Sequence, residues 1–206
     1  MGKLIYPYGE NKKELMDFAR LLRDRGERII MTGGTFDVER LTPIHIAYLR
    51  DCKSLGDALV VNVTNDRRAR LRKNGEKSSI VPRPFYTEEV RALYVSALDS
   101  TNCVTVHPYV GNPDDPEDIG PTGRLAKLVR PDVLVKGIQS KDDGGWGSGE
   151  KRRLEEFLGY KPKFKSIRIE DNTISSTTIF DYRAAVNRGL EVQESNSGLL
   201  QARGAN

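Results

Sequence analysis

Arg28-Ile29-Ile30-Met31-Thr32-Gly33-Gly34-Thr35-Phe36-Asp37, followed a few residues later by Thr42-Pro43-Ile44-His45, is the stretch on which the reading of this chain turns. Ile29-Ile30-Met31 is an unbroken apolar run, the pattern of a strand covered on both faces of a parallel sheet. Two adjacent glycines then permit a ligand phosphate to approach the backbone. Thr42 reads as a helix N-cap with Pro43 at the first helical position, which puts His45 in the first turn. An imidazole there stands beside exposed N–H groups and the positive end of a helix dipole. On these residues alone, a plain cap and a surface histidine are the favoured reading.

Four further apolar runs follow: Leu59-Val60-Val61, Cys103-Val104-Thr105-Val106, Val133-Leu134-Val135 and Ile167-Arg168-Ile169. Helical patterns fill most gaps. One runs from Thr42 to Ser54, and another from Thr87 through Val90, Leu93, Tyr94, Ala97 and Leu98. A third centres on Leu125, Leu128 and Val129, a fourth on Leu154 and Phe157 with Gly159 beyond, and a last one begins near Ser176. Ahead of the first strand, Asn11 and Glu14 resemble a capping box. Leu15, Phe18, Ala19 and Leu22 then make one buried stripe, with Gly26 as a stop. Strands alternating with helices predict an α/β fold: a Rossmann-like, doubly wound, five-stranded parallel sheet with helices on both faces. A single domain is expected over 1–190, with 1–26 as an N-terminal helical extension and 191–206 as a flexible polar tail. Asn65–Pro84, Gly111–Pro121 and Ser140–Gly149 read as loops.

The chain has 206 residues, 37% of them hydrophobic, and a mean hydropathy of −0.53. No apolar run is long enough to span a bilayer, and neither a secretory signal nor a myristoylation pattern opens the chain. A soluble, cytosolic protein is expected. Two cysteines make no disulfide framework, and Cys52 and Cys103 read as buried thiols. With two histidines, a dedicated zinc site is not expected. The net charge of +4 points to an anionic partner: nucleotide, sugar phosphate or nucleic acid.

Open parallel sheets bind ligands at the carboxyl ends of their strands. Four consecutive hydroxyl residues, Ser175-Ser176-Thr177-Thr178, follow the fifth run and open a helix, a second anion site or a redundant cap. Arg67, Arg68, Arg70, Arg72, Lys73 and Lys77 form a basic segment after the second run, either a solvated face or a triphosphate contact. Lys136-Gly137 ends the fourth run. Gly144-Gly145-Trp146-Gly147-Ser148-Gly149 is not set between strand and helix as a dinucleotide fingerprint requires, and no Walker loop is present.

Taken in order, these segments resemble the nucleotidyltransferase superfamily whose signature is His-x-Gly-His. Within it, the chain looks most like the adenylyltransferase domain of bacterial ADP-heptose synthases, with glycerol-phosphate cytidylyltransferases as close relatives. The resemblance runs from about Leu21 to Arg183. It is carried by the Thr32–Asp37 turn, Gly56-Asp57 before a strand, and Thr64-Asn65-Asp66 after it. Arg83-Pro84 with Glu89 and Arg91, Pro131–Gly137 and Ser175–Ile179 complete it. The chain departs from the signature in three ways. Its gap after Phe-Asp is longer by two residues, Thr42 stands for the first His as in some related adenylyltransferases, and Ile44 stands for the Gly.

The resemblance implies transfer of AMP from ATP to a sugar phosphate such as heptose 1-phosphate, with release of pyrophosphate. Left open beside it are a cytidylyltransferase acting on a polyol or aminoalcohol phosphate and a non-catalytic nucleotide-binding module. It implies His45 on the α/β-phosphate oxygens with Thr42 assisting, Lys73 as a charge contact and Arg91 on the leaving phosphates. Thr32, Gly33, Gly34, Thr35, Phe36, Lys136, Gly137, Ser175, Ser176, Thr177 and Thr178 would surround the nucleotide. Asp37 would orient the acceptor or a Mg²⁺ ion that arrives with the triphosphate. A homodimer is expected from the family. A nucleic-acid partner ranks last, because the basic segment lacks interleaved aromatics for base stacking.

Overall fold

The structure, a computed structural model, describes residues 3–5, 8–36, 43–74, 84–138, 145–168, 191–194 and 200–203. The elements are β1 Lys3–Ile5, α1 Tyr8–Asp24, β2 Ile29–Gly34, α2 Pro43–Lys53, β3 Ala58–Val63, α3 Asp66–Asn74, α4 Glu88–Ser96, β4 Cys103–Thr105, α5 Gly120–Val129, β5 Val133–Ile138, α6 Ser148–Leu158, β6 Lys163–Arg168, β7 Glu191–Glu194 and β8 Leu200–Arg203. Six strands form one sheet in the order β1-β4-β3-β2-β5-β6, parallel at every pairing.

Alternation along β2 explains why helices cover both faces. Ile29 and Met31 join Leu15, Ala19 and Leu22 of α1 and Leu125, Ala126 and Val129 of α5 in one core. Ile30 joins Tyr48, Leu49 and Cys52 of α2 and Ala92 and Val95 of α4 in the other. Right-handed crossovers require this division. The chain steps outward from β2 to β3 to β4 with α2 and α4 on one face. It then jumps back across β2 to β5 and β6 with α5 and α6 on the opposite face. The reversal lies between β2 and β5, so the crevice of this fold opens at the carboxyl ends of those two strands.

The expected doubly wound parallel sheet is present, and the five expected strands gain a sixth. Residues 1–26 are not simply a helical extension: β1 pairs with β4 at the sheet edge, and α1 begins at Tyr8, ahead of the Asn11 box. The proposed tail contains an antiparallel ribbon, β7 with β8, among its described residues. The basic segment is not all loop, because α3 covers Asp66–Asn74. Asn65 caps that helix, its Oδ1 accepting the Arg68 N–H at 2.9 Å. With so few apolar residues, α3 left no periodicity to read. β6 begins at Lys163, earlier than the apolar run suggests, because an edge strand can expose Lys163, Lys165 and Ser166. The helix expected from Ser176 lies outside the described residues. Gly26 and Gly159 end α1 and α6 with φ of 71° and 73°, as expected of stops.

Among the described residues, no helix is long and apolar enough to cross a membrane. Cys52 and Cys103 are free and fully buried. Burial pushes both thiols up to about 12. They are therefore protonated at neutral and mildly alkaline pH, and the thiolate is the reactive form. A disulfide reagent at pH 8 should label neither cysteine in the folded protein and both in denaturant. Stoichiometric labelling without unfolding would contradict this packing.

Candidate functional site

The carboxyl edge of the sheet is assembled around one side chain. Arg91, in the first turn and a half of α4, has no solvent exposure. Its Nε donates to the Tyr86 carbonyl at 3.0 Å. One terminal nitrogen donates to the Thr35 carbonyl beyond β2. The other reaches the Thr64 carbonyl beyond β3 at 2.8 Å and Asp66 Oδ1 at 2.6 Å. Asp66 in turn donates its backbone N–H to Glu88 Oε2 at 2.6 Å. A guanidinium so engaged is not available to leaving phosphates, the contact expected of it. It is a positioning residue that ties together the ends of two strands and the starts of two helices.

Beyond the Thr35 carbonyl, Phe36 takes a φ of 50°. That left-handed conformation costs a non-glycine residue about 1 kcal/mol. Packing holds it there: Phe36 is 6% exposed, and its ring fills the space where a side chain on Gly34 would sit, 2.9 Å from that position. The same ring meets the edge of His45, with centroids 5.5 Å apart. His45 is the third residue of α2, which begins at Pro43 as expected. The imidazole is thus half-buried at the end of β2, beside the helix's first N–H groups.

A buried hydroxyl pair ties α2 to the sheet. Tyr48, one turn after His45, places its hydroxyl 2.5 Å from Thr32 Oγ1. Thr32 Oγ1 donates to the Val135 carbonyl of β5 at 3.0 Å, so the phenol is the donor in the Tyr48–Thr32 bond. Burial pushes the Tyr48 phenol well above its ordinary range, and a backbone hydrogen bond from Gly137 completes the chain. Thr32 therefore joins β2, β5 and α2, and its hydroxyl faces the core instead of a nucleotide. Gly33 points to the opposite face. A Cβ there would lie 2.2 Å from Thr122 Oγ1 of α5, so this glycine serves helix–sheet packing as well as any ligand.

The other expected residues fall in three groups. Lys136 stands at the end of β5, with Nζ 3.1 Å from Glu150 Oε2 and 3.2 Å from the Gly145 carbonyl. Gly137 is half-buried beside it. Lys73 lies in the last turn of α3, on the same edge. Asp37, Thr42, Ser175, Ser176, Thr177 and Thr178 lie outside the described residues. Tyr48 and Thr122 were missed by sequence reasoning. Nothing in the Thr42–Ser54 helical pattern marks Tyr48, while Pro121 at the start of α5 is a usable signal for Thr122.

No protein-family model matches the chain. The bifunctional protein HldE of Proteus mirabilis is 35% identical over 170 residues, which cover 82% of this chain and 31% of that protein. The lipopolysaccharide core biosynthesis protein of Thermoplasma volcanium, a crystal structure, is 28% identical with a TM-score of 0.50. It covers 69% of this chain and 97% of its own. The chain is a homologue of one segment of HldE. It spans less than a third of the length of the HldE proteins it matches. Pantoate-beta-alanine ligase of Francisella tularensis, 12% identical with a TM-score of 0.56, covers 98% of the chain and shares its fold. That likeness extends to the parallel α/β fold alone.

Replacing Arg91 by Met leaves Asp66 and three carbonyls without their donor. Loss of one partner of such a buried pair costs about 3–5 kcal/mol, and chemical denaturation should show a loss of that size. Unchanged stability with abolished nucleotide affinity would return Arg91 to the ligand.

Proposed function

We propose that the chain transfers AMP from ATP to the phosphate of a sugar 1-phosphate and releases pyrophosphate. The similarity to one segment of HldE carries this reading, and the crevice at the β2–β5 reversal supports it. The acceptor phosphate is already ionised at neutral pH, so the reaction needs no strong general base. One acceptor oxygen forms a bond to the α-phosphorus as the bond to the bridging oxygen of the β-phosphate breaks in line. Catalysis then rests on positioning and on neutralising the charge that develops on the α- and β-phosphates.

In this proposal His45 donates to those oxygens from the first turn of α2, assisted by the helix N-terminus and by Thr42. The backbone of Gly33–Thr35 and the Ser175–Thr178 segment surround the triphosphate, and Lys73 supplies charge from α3. Arg91 and Tyr48 do not touch the substrate in this account; they hold the groups that do. Among the described residues, no three His, Cys, Asp or Glu side chains come together. A Mg²⁺ ion fits such a site as part of the nucleotide, because it takes most of its oxygens from phosphates and water. Asp37 is the residue proposed to meet it or the acceptor, and the ion's own contribution is to offset triphosphate charge.

Pyrophosphate release should be measured with Mg²⁺ and ATP or CTP against a panel of sugar and polyol phosphates. Release is expected with ATP and a sugar 1-phosphate. His45→Ala should lower turnover by about 100-fold or more, the usual loss of one transition-state donor. Turnover with CTP alone would move the assignment to a cytidylyltransferase. Nucleotide binding without release across the panel would make the crevice a binding module.

A further inference from the structure

A second polar cluster occupies the same edge of the sheet, beyond β3 and on the α5 side. Its frame is rigid. Arg68 and Asp118 form an ion pair at 2.6 Å, their side chains 10% and 3% exposed. Asp118 Oδ1 accepts the Gly120 N–H at the start of α5 at 2.9 Å. Asn65 Nδ2 donates to the carbonyls of His107 and Tyr109, both at 2.9 Å. The His107 backbone N–H reaches Asn62 Oδ1 at 3.2 Å, and His107 Nδ1 accepts the Tyr109 N–H at 3.1 Å. That bond assigns the proton of the neutral imidazole to Nε2.

Arg124 of α5 lies on this frame, stacked on an aromatic ring. The guanidinium carbon sits 3.6 Å from the centre of the Tyr109 ring and 5.8 Å from that of Phe157. Its Nε is buried with no hydrogen-bond partner. Among the described residues no carboxylate pairs with it. The charge of the exposed Lys12 of α1 also acts on this histidine. Burial, then the charges of Arg124 and Lys12, hold His107 down to about 4. Arg124 thus stacks on the residue whose N–H meets the His107 ring, positive charge from two helices acts on that imidazole, and Asp118 is already committed to Arg68.

We propose that Arg124, His107 and Lys12 form an anion site, distinct from the β2–β5 crevice, that takes a phosphate-type oxyanion. The ligand is either free phosphate or the phosphate monoester of a small molecule. The stacked guanidinium is pre-organised, and its planar fork of donors matches the oxygens of a phosphate. The ammonium of Lys12 adds charge from the solvent side. This site does not depend on the chain being a nucleotidyltransferase.

With two histidines in the chain, NMR can follow each imidazole separately while inorganic phosphate is added at pH 6. Sodium chloride at matched ionic strength is the control. His107 should shift saturably with phosphate alone, and its titration midpoint should rise from about 4, since a bound anion favours the imidazolium. Arg124→Met should weaken the apparent affinity about tenfold or more. Lys12→Gln, an exposed substitution that leaves the core untouched, should weaken it about threefold. A parallel titration with a hexose 1-phosphate separates the sources. Tighter binding than inorganic phosphate identifies a small-molecule monoester, and equal binding identifies free phosphate. An equal, unsaturable response to phosphate and chloride overturns the site. So does saturation unaffected by Lys12→Gln, which stands as the test on its own if Arg124→Met does not fold.

Discussion

A guanidinium with no access to water must find its acceptors inside the protein, and Arg91 finds four of them on three separate pieces of chain. The carbonyls of Thr35, Thr64 and Tyr86 and the carboxylate of Asp66 converge on it. Each of those groups would otherwise be a polar atom at the end of a strand or helix needing its own partner. The arrangement constrains the edge of the sheet in a way that apolar packing cannot, because hydrogen bonds to a planar cation fix direction as well as distance. Moving the Thr35 carbonyl would release the left-handed turn at Phe36, and with it the ring that backs His45.

The crevice between β2 and β5 inherits its shape from that constraint and from a second one. The run from Gly137 through Tyr48 and Thr32 to Val135 ties α2 to both strands at once. Helix α2 is therefore pinned at Tyr48 from below and at His45 from the side. Gly33 and Gly34 bring Thr122 and Phe36 closer to the backbone than any side chain would allow. A site built this way has its donors in place before a ligand arrives, which is what charge stabilisation in phosphoryl and nucleotidyl chemistry requires.

How much of this the sequence discloses depends on whether a feature is local. Buried strands such as Leu59-Val60-Val61 are unbroken apolar runs, so the sheet and its winding were legible. The cap–proline–histidine order at Thr42-Pro43-Ile44-His45 gave the start of α2 at Pro43 and the place of His45. Helix α3 was not legible, because its residues are almost all charged and it is fixed by the Asn65 cap. The edge strands β1 and β6 were also obscured, one by its shortness and the other by its lysines. The role of Arg91 was misread for a different reason. Its acceptors lie 56, 27, 25 and 5 residues away along the chain, so nothing beside it in sequence distinguishes a buried anchor from a phosphate ligand. Thr32 shares that difficulty, since Val135 and Tyr48 reach it only through the fold.

Nucleotide bound at the β2–β5 reversal, with the first turn of α2 against its phosphates, is the arrangement we propose. A crystal structure with a non-hydrolysable ATP analogue tests this most directly. The phosphates should lie within hydrogen-bond distance of His45 and the Gly33–Thr35 backbone, with Arg91 still buried on its four acceptors. A nucleotide seated elsewhere on the molecule, or an Arg91 side chain withdrawn from those acceptors to hold a phosphate, would contradict it.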